Sequence, residues 1–152
     1  MTGSGRRRPR LANHAWEALL EAHATLMKEF AAADIWQELS MREYDVLYTL
    51  AKRREPIRLG ELHRHVLLSQ PALSRMVARL VARGLVARAT DPTDGRGVLL
   101  SLTEAGRQAQ RRVGRRHARG VAAAVSRSLT SDELAQLESL CVRLARGEKR
   151  GG

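Results

Sequence analysis

Polar side chains that could hydrogen-bond nucleic acid recur along the segment from Ser69 to Arg83. Ser69 is a good helix N-cap, and Pro71 is tolerated in the first turn because its missing N–H would have no partner there. Apolar residues at three- and four-residue steps predict one buried face, which leaves amide, hydroxyl and guanidinium groups pointing outward. Such groups read base edges and hold phosphates when a helix enters the major groove. The outward residues are Gln70, Ser74, Arg75, Ala78 and Arg79.

A second candidate group lies between two strand-like runs, Leu85–Ala89 and Val98–Leu102. The residues between these runs, 90–97, are rich in turn formers, so the pattern predicts a β-hairpin. Arg96 stands between two glycines near the tip, and an arginine on a slender tip suits a narrow minor groove, where negative potential is concentrated. Each group alone is more typical of an ordinary amphipathic helix or hairpin, but together, in this order and within a basic segment of the chain, they favour DNA binding.

Residues that could form a catalytic or metal site fall into no recognisable pattern. The sequence has no phosphate-binding loop and no Gly-x-Ser-x-Gly elbow. His63 and His65 are two residues apart, so on a helix they point in different directions and make no zinc pair. The single cysteine, Cys141, lies on the apolar face of the last predicted helix and is interpreted as packing. We therefore expect no enzymatic activity, no catalytic residue, no metal and no cofactor.

The elements that must position these residues follow from apolar spacing and from helix caps. Ser40 with Glu43, and Thr130 with Glu133, form capping boxes that begin two helices. The succession of helix, turn, helix and hairpin is that of a winged helix-turn-helix. The predicted helices cover 11–38, about 41–55, a short stretch after Leu59, 70–83, 103–129 and the residues from 131 onward.

Length and charge limit the partners and the compartment. The 152 residues include 27 basic and 16 acidic side chains, a net charge of +11, and aromatic residues make up only 3%, which disfavours a stacking platform for single strands. Residues 53–119 hold fifteen basic and five acidic residues, so nearly all of the excess lies there. Nucleic acid is favoured over a membrane surface because no strongly apolar face accompanies the arginines. No secretory signal or membrane-spanning run is recognised, so a cytoplasmic location is expected.

Several stretches of the sequence resemble the multiple antibiotic resistance regulator (MarR) family, over about Ala15 to Ala145. The resemblance is carried by Leu68–Leu80, Gly84–Arg88, the Asp-x-Arg-Gly wing within Asp91–Gly97, and Leu-Thr-x-x-Gly within Leu102–Arg107. It implies an obligate homodimer whose first and last helices interlock, with two winged lobes on a pseudo-palindromic operator. It also implies that the helix over 70–83 reads the major groove, that Arg96 in the wing over 90–97 enters the minor groove, and that Asp94 steadies the wing through an arginine.

The expected fold is therefore mainly α-helical with a small β-hairpin wing, an α+β winged helix-turn-helix lobe combined with helices that form the dimer. The expected divisions are a flexible basic tail at 1–10, a dimerisation helix at 11–38, the winged lobe at 40–102, dimerisation helices at 103–147 and a tail at 148–152. Contacts to DNA are expected from Ser69, Gln70, Pro71, Ser74, Arg75, Arg79, Arg96 and Gly97. Trp16, Trp36, Tyr44 and Tyr48 either line a pocket for a small effector or belong to the core.

By the same resemblance, the chain is expected to be a repressor modulated by a small organic acid or phenol. Apolar faces on helices at both chain ends support the dimer, because a second copy could cover them. The same two helices could instead pack on each other within one chain. A winged-helix module that binds structured RNA or a protein partner is the alternative function, although outward Ser74, Arg75 and Arg79 favour duplex DNA.

Overall fold

The computed structural model describes residues 4–147 of the chain, with side chains from Arg8 onward. It consists of six helices and three short strands within that range, which confirms the predicted α+β class. The chain divides into a winged unit, Ala31–His117, and a terminal unit that holds the chain through Phe30 and from Ala118 onward. The elements are α1 Ser4–Ala31, α2 Met41–Ala51, β1 Ile57–Arg58, α3 Leu59–His63, α4 Gln70–Ala82, β2 Val86–Asp91, β3 Asp94–Leu102, α5 Glu104–Ser126 and α6 Ser131–Arg146.

The sheet of the winged unit is antiparallel, with the strand order β1-β3-β2. Arg58 of β1 lies opposite Leu99, and β2 pairs with β3 as far as Asp91 opposite Asp94. The hairpin loop is therefore much shorter than the turn predicted over 90–97. The reason is that the Asp91 carboxylate accepts hydrogen bonds from the Thr93 backbone N–H at 2.9 Å and from the Thr93 hydroxyl at 2.7 Å, which satisfies a tight turn locally.

The core of the winged unit is formed by apolar side chains from α2, α3, α4, α5 and the sheet. As the spacing predicted, α4 buries Leu73, Met76, Val77 and Leu80. In α2 the buried side chains are Tyr44, Val46, Leu47 and Leu50, whereas Tyr48 is 40% exposed. Burial of each such aliphatic side chain contributes roughly 1.5–3 kcal/mol.

Helix α1 differs from its predicted bounds at both ends. It begins at Ser4, so residues 4–10 are helical where a flexible tail was expected. Arginine has a high helix propensity, and a helix propagates readily once its apolar stripe has formed. The helix ends at Ala31 rather than at residue 38, and Asp34 then accepts a hydrogen bond from Gln37 Nε2 at 3.0 Å in a turn. The predicted tail residues 1–3 and 148–152 lie outside the described residues.

The base of the hairpin is joined to α5 through Thr103 and Gly106. The Thr103 hydroxyl donates to the Gly84 carbonyl at 2.6 Å and accepts from the Gly106 N–H at 3.0 Å, so it caps α5 and ties it to the turn after α4. A Cβ atom built on Gly106 would lie 2.0 Å from the Leu85 carbonyl oxygen. Only glycine allows this approach, and the Leu-Thr-x-x-Gly stretch therefore fixes the start of α5 against the hairpin.

The terminal unit exposes large apolar side chains on two of its helices. On α1, Leu11 is 68% and Trp16 is 58% exposed. On α6, Leu140 is 54% and Leu144 is 70% exposed, and no described residue of this helix is buried. The chain as described thus leaves apolar surface uncovered at both ends.

Candidate nucleic-acid interface

Helix α4 presents its N-terminal half on a well-defined cap. The Ser69 hydroxyl accepts a hydrogen bond from the Ala72 N–H at 3.3 Å, and Pro71 lies in the first turn, as predicted. The preceding turn is held by a hydrogen bond between His63 Nε2 and the Leu68 carbonyl at 2.8 Å. Because the apolar face of α4 is fully packed, the opposite face is rigidly directed to solvent. Exposed on that side are Ser69, Gln70, Pro71, Arg75, Ala78 and Arg79, while Ser74 is half-buried.

The arginines of α4 differ in whether they are already paired. Arg83, at the C-terminal end, forms an ion pair with Glu43 at 3.2 Å and donates to the Glu38 carbonyl at 2.7 Å. Arg75 and Arg79 are exposed and form no ion pair with any described residue. Arg83 therefore anchors the helix, and the two others leave guanidinium groups available on the outer face.

The wing carries Arg96 just beyond the hairpin turn. Its side chain is exposed, and its backbone N–H donates to Asp94 Oδ1 at 3.1 Å. Asp94 also lies 3.4 Å from Arg58 Nη2, so it has an arginine neighbour of the kind that the resemblance implied. The wing tip thus combines an exposed cation with a backbone that is held by a carboxylate.

The stronger connection to the wing is the Arg58–Asp91 pair, which sequence reasoning missed. Arg58 donates to Asp91 Oδ2 from Nε at 3.1 Å and from Nη2 at 2.5 Å. Asp91 is only 7% exposed. Hydrogen bonds from the Thr93 hydroxyl and from Arg58 hold the pKa of Asp91 far below its ordinary value, so this carboxylate is ionised at any physiological pH.

Gly97 contributes space beneath this pair. A Cβ atom at Gly97 would lie 3.0 Å from Arg58 Nη2 and 3.1 Å from the Asp91 Cβ. The structure therefore places Gly97, predicted as a DNA contact, under the guanidinium that bridges β1 and the wing turn. The sequence signal for this pair is the short β1 strand. Because β1 pairs with the edge of β3 that β2 leaves open, Arg58 lies next to the wing end of the hairpin.

Aromatic rings cluster at the start of α2 in the winged unit. Trp36 and Tyr44 have ring centroids 5.9 Å apart, and Tyr44 stacks on Tyr48 at 5.7 Å. The His117 ring lies 5.3 Å from Trp36 and 5.4 Å from Tyr44. Tyr44 is buried and Trp36 packs against the core, so two of the four predicted aromatic residues belong to the core. Trp16 lies on α1 in the terminal unit.

Burial changes the protonation of this cluster. Desolvation lowers the pKa of His117 below its ordinary value, against the attraction of Asp45. Desolvation also raises the pKa of Tyr44. The imidazole is therefore held mainly neutral near pH 7, and acid would place a charge among the rings.

Other types of site find little support in the part of the chain that is described. Among residues 8–147, no group of three or more histidine, cysteine, aspartate or glutamate side chains is arranged to hold a metal ion. Cys141 is a half-buried free thiol. In the same range, none of the helices combines the length and apolarity needed to cross a bilayer.

Comparison with protein families and curated proteins gives a consistent result. The model of the MarR family matches residues 37–97. The multiple antibiotic resistance protein MarR of Salmonella typhimurium is 33% identical over 84 residues, which are 55% of this chain and 58% of that protein. Its counterpart in Escherichia coli is 36% identical over 80 residues, 53% and 56% of the two chains. The match thus spans little more than half the length of these curated relatives.

Solved structures match over most of the chain. The PcaV transcriptional regulator from Streptomyces coelicolor, in complex with its natural ligand, is 30% identical with a TM-score of 0.65, over 88% of this chain and 91% of that one. Sco3205, a MarR family transcriptional regulator from the same organism in complex with DNA, is 29% identical with a TM-score of 0.72, over 89% and 86%. The similarity therefore includes both the winged unit and the terminal helices.

Proposed function

The chain belongs to the MarR family, and on that premise we propose that it is a transcriptional regulator, a repressor, that binds a pseudo-palindromic operator in duplex DNA as a homodimer. The observation that carries this proposal is the outer face of α4, where Arg75 and Arg79 are exposed beside Gln70 and Ser74 and form no ion pair with any described residue. An α-helix fits the major groove, and these side chains match the donors and acceptors of base edges and phosphates. The similar regulator Sco3205 was solved in complex with DNA, which supports DNA as the ligand.

The wing supplies the second contact in this proposal. Arg96 is exposed on a tip that Arg58, Asp91 and Asp94 hold in place. A guanidinium on a narrow, fixed tip can enter the minor groove, which attracts cations most strongly where it is narrow. Asp94 would act on DNA binding indirectly, through the position of the Arg96 backbone.

The proposed homodimer would cover the apolar surface that the terminal unit exposes. Leu137 and Leu144 lie on one side of α6 and are 42% and 70% exposed, and a shallow depression on the same helix is lined in part by Leu140. A two-fold interface places identical faces against each other, so one apolar stripe is sufficient for both copies.

Changing Leu137 and Leu144 together to glutamine tests the dimer. Sedimentation at micromolar concentration is expected to show a dimer for the parent and a shift toward monomer for this variant. The matched control is Val142→Gln, because Val142 is also exposed, at 39%, but lies on a different side of α6. A parent that sediments as a monomer would contradict the proposed assembly.

A small organic acid or phenol is the proposed effector. The support is the cluster of Trp36, Tyr44, Tyr48 and His117, together with the similar regulator PcaV, which was solved with its natural ligand. A ligand weakens DNA binding only if it binds the incompetent arrangement better than the competent one. A panel of anionic aromatic compounds that leaves both the melting temperature and the DNA affinity unchanged would contradict this part of the proposal.

A mobility-shift experiment tests the proposed function directly. Duplex DNA from around the protein's own gene serves as the probe, and duplex RNA of the same sequence serves as the competitor. The proposal predicts a shift that duplex DNA of the probe's sequence competes away and that RNA does not. Equal competition by RNA would instead support a winged-helix module that binds structured RNA.

A further inference from the structure

Much of the positive charge in residues 53–119 lies on α5 rather than on α4 or the wing. Six of the fifteen basic residues of this segment are on α5, where the first sixteen positions include one acid, Glu104. Within the winged unit, four of these arginines are exposed, and together we name them the α5 arginine face. They are Arg111, Arg112, Arg115 and Arg116.

The α5 arginine face occupies one side of its helix. At 100° per residue its four members lie within an arc of about 140°, and the buried Val113 and Gly114 lie on the opposite side of the helix. Successive arginines at four-residue spacing are about 6 Å apart along the axis. No large apolar side chain interrupts the face, so it presents closely spaced guanidinium groups and little else.

The face is only partly neutralised. Arg112 binds the Glu38 carboxylate through Nε at 3.2 Å and Nη2 at 2.5 Å. Arg116 also contributes to lowering the pKa of Glu38, after the larger effect of Arg112. Arg111, Arg115 and Arg116 form no ion pair among the described residues. The single carboxylate shows the geometry that the face accepts: an oxyanion bound by two parallel N–H groups.

The contacts of Glu38 also show where the face lies relative to α4. Arg83, at the C-terminal end of α4, donates to the Glu38 carbonyl, while Arg112 holds the Glu38 side chain. The α5 arginine face is therefore beside the C-terminal end of α4, whereas Gln70 is at the other end of a 13-residue helix, about 18 Å away. The wing tip is separated from the start of α5 by the length of β2, about 17 Å.

We propose that the α5 arginine face binds the phosphate backbone of duplex DNA outside the segment that α4 and the wing contact. Arginine suits this role because its planar fork pairs with phosphate oxygens. A protein partner is disfavoured, since stable protein interfaces have an apolar centre and this face has none. The inference rests on the proposed function only in taking duplex DNA as the polyanion. The DNA is either the bent flank of the bound duplex or a second duplex.

The test compares two triple variants of the full chain. The first changes Arg111, Arg115 and Arg116 to glutamine; the control changes Arg8, Arg10 and Arg143, three exposed arginines of the terminal unit. Binding to a random-sequence duplex is measured at several salt concentrations. The proposal predicts that the α5 variant reduces the salt slope by about three per protomer and the control does not, since each phosphate contact contributes about 0.9. Sedimentation must show the same oligomer for both.

Two further arms separate the sources of phosphate. Protein is loaded on an immobilised duplex and offered a second, fluorescent duplex; capture that the α5 variant loses identifies a second duplex. If the α5 variant binds more weakly than the control only on longer immobilised duplexes, the α5 arginine face contacts the flank of the bound duplex. A variant carrying Arg75→Gln, Arg79→Gln and Arg96→Gln is expected to keep weak, salt-dependent binding that the α5 changes abolish.

Three results would overturn the inference. The first is an equal salt slope for the α5 variant and the control. The second is an altered oligomeric state of the α5 variant. The third is that polyglutamate, at the same concentration of charge as the DNA, displaces the DNA from the α5 arginine face. The proposed function fails separately, if the parent binds no duplex at all or if the Arg75, Arg79 and Arg96 variant binds like the parent.

Discussion

Arg75 and Arg96 each offer one exposed guanidinium, but they are expected to act differently on DNA. Arg75 lies on the face of α4 that would meet base edges, so Arg75→Ala should cost roughly 1–3 kcal/mol and relax the preference at one position of each half-site. Arg96 lies on the wing, so Arg96→Ala should weaken binding and leave the half-site preference intact. Either change should reduce the salt dependence by about one phosphate contact.

The measurement is a binding series on a selected operator and on its single-base variants at two salt concentrations. Asp94→Ala serves as a comparison, since it should resemble a milder Arg96→Ala by releasing the Arg96 N–H. If Arg96→Ala binds every duplex like the parent, the wing does not touch DNA and the proposed docking is wrong.

Arg58 is expected to control the wing without reading sequence. Arg58→Gln removes both hydrogen bonds to Asp91 and leaves a nearly buried carboxylate with fewer partners. The wing amides should then exchange hydrogen faster in the absence of DNA, and DNA affinity should fall with no change in half-site preference. Arg88→Gln is the matched control, because Arg88 is an exposed arginine of β2 without an ion pair among the described residues. Unchanged exchange at residues 90–97 in Arg58→Gln would show that the pair does not order the wing.

His117 is expected to make stability depend on pH in mildly acidic solution. Burial lowers its folded-state pKa below the ordinary 6.5, so the unfolded chain binds the proton more readily than the folded one. The stabilising effect of keeping His117 neutral is complete above its unfolded pKa and is lost as pH falls through the folded pKa. Urea unfolding at pH about 7.5 and about 5.5 should show a smaller acid-induced loss for His117→Gln than for the parent. Equal losses would place the pH dependence elsewhere.

At the scale of elements, the junction of the hairpin and α5 depends on Gly106. Gly106→Ala would press a methyl group against the Leu85 carbonyl, and overpacking of this kind costs roughly 1–3 kcal/mol or more. Gly120→Ala in the same helix is the control, since no atom lies within 4 Å of its added Cβ. It should stabilise the protein by about 0.5–1 kcal/mol. The free energy of unfolding of both variants is measured by denaturant unfolding. Equal stabilities of Gly106→Ala and Gly120→Ala would contradict the close approach of Gly106 to the Leu85 carbonyl.

The elements that sequence reasoning predicted well are those specified locally. The cap at Ser69, the apolar spacing of α4 and the stop at Gly84, with φ of +72°, lie within one segment, so α4 and its outward face were predictable. The Arg58–Asp91 pair joins residues that are 33 positions apart, and only the register of β1 on β3 brings them together. The extent of β2 and β3 was also missed, because the turn formers of residues 90–97 predict a loop and do not show that the Asp91–Thr93 hydrogen bonds confine the turn to the tip.

At the scale of the whole molecule, the basic residues of 53–119 lie on several different surfaces, and each surface has its own role. The sequence attributes the excess of residues 53–119 to one DNA-binding segment. The structure divides it among exposed groups on α4 and the wing, paired groups such as Arg58 and Arg83, and the α5 arginine face. The same limit applies to the apolar surface. Hydrophobic spacing predicts which face of a helix is apolar, but it does not predict which partner covers that face.

In the proposed complex, two copies of this chain bind one two-fold symmetric site in duplex DNA. Footprinting on an operator selected from genomic fragments, with the mass of the complex measured on the same duplex, tests it most directly. We expect two protomers per site and two protected half-sites related by a dyad, with centres about 10 base pairs apart on one face of the DNA. A single protomer on the duplex, or protection without a dyad, would contradict it.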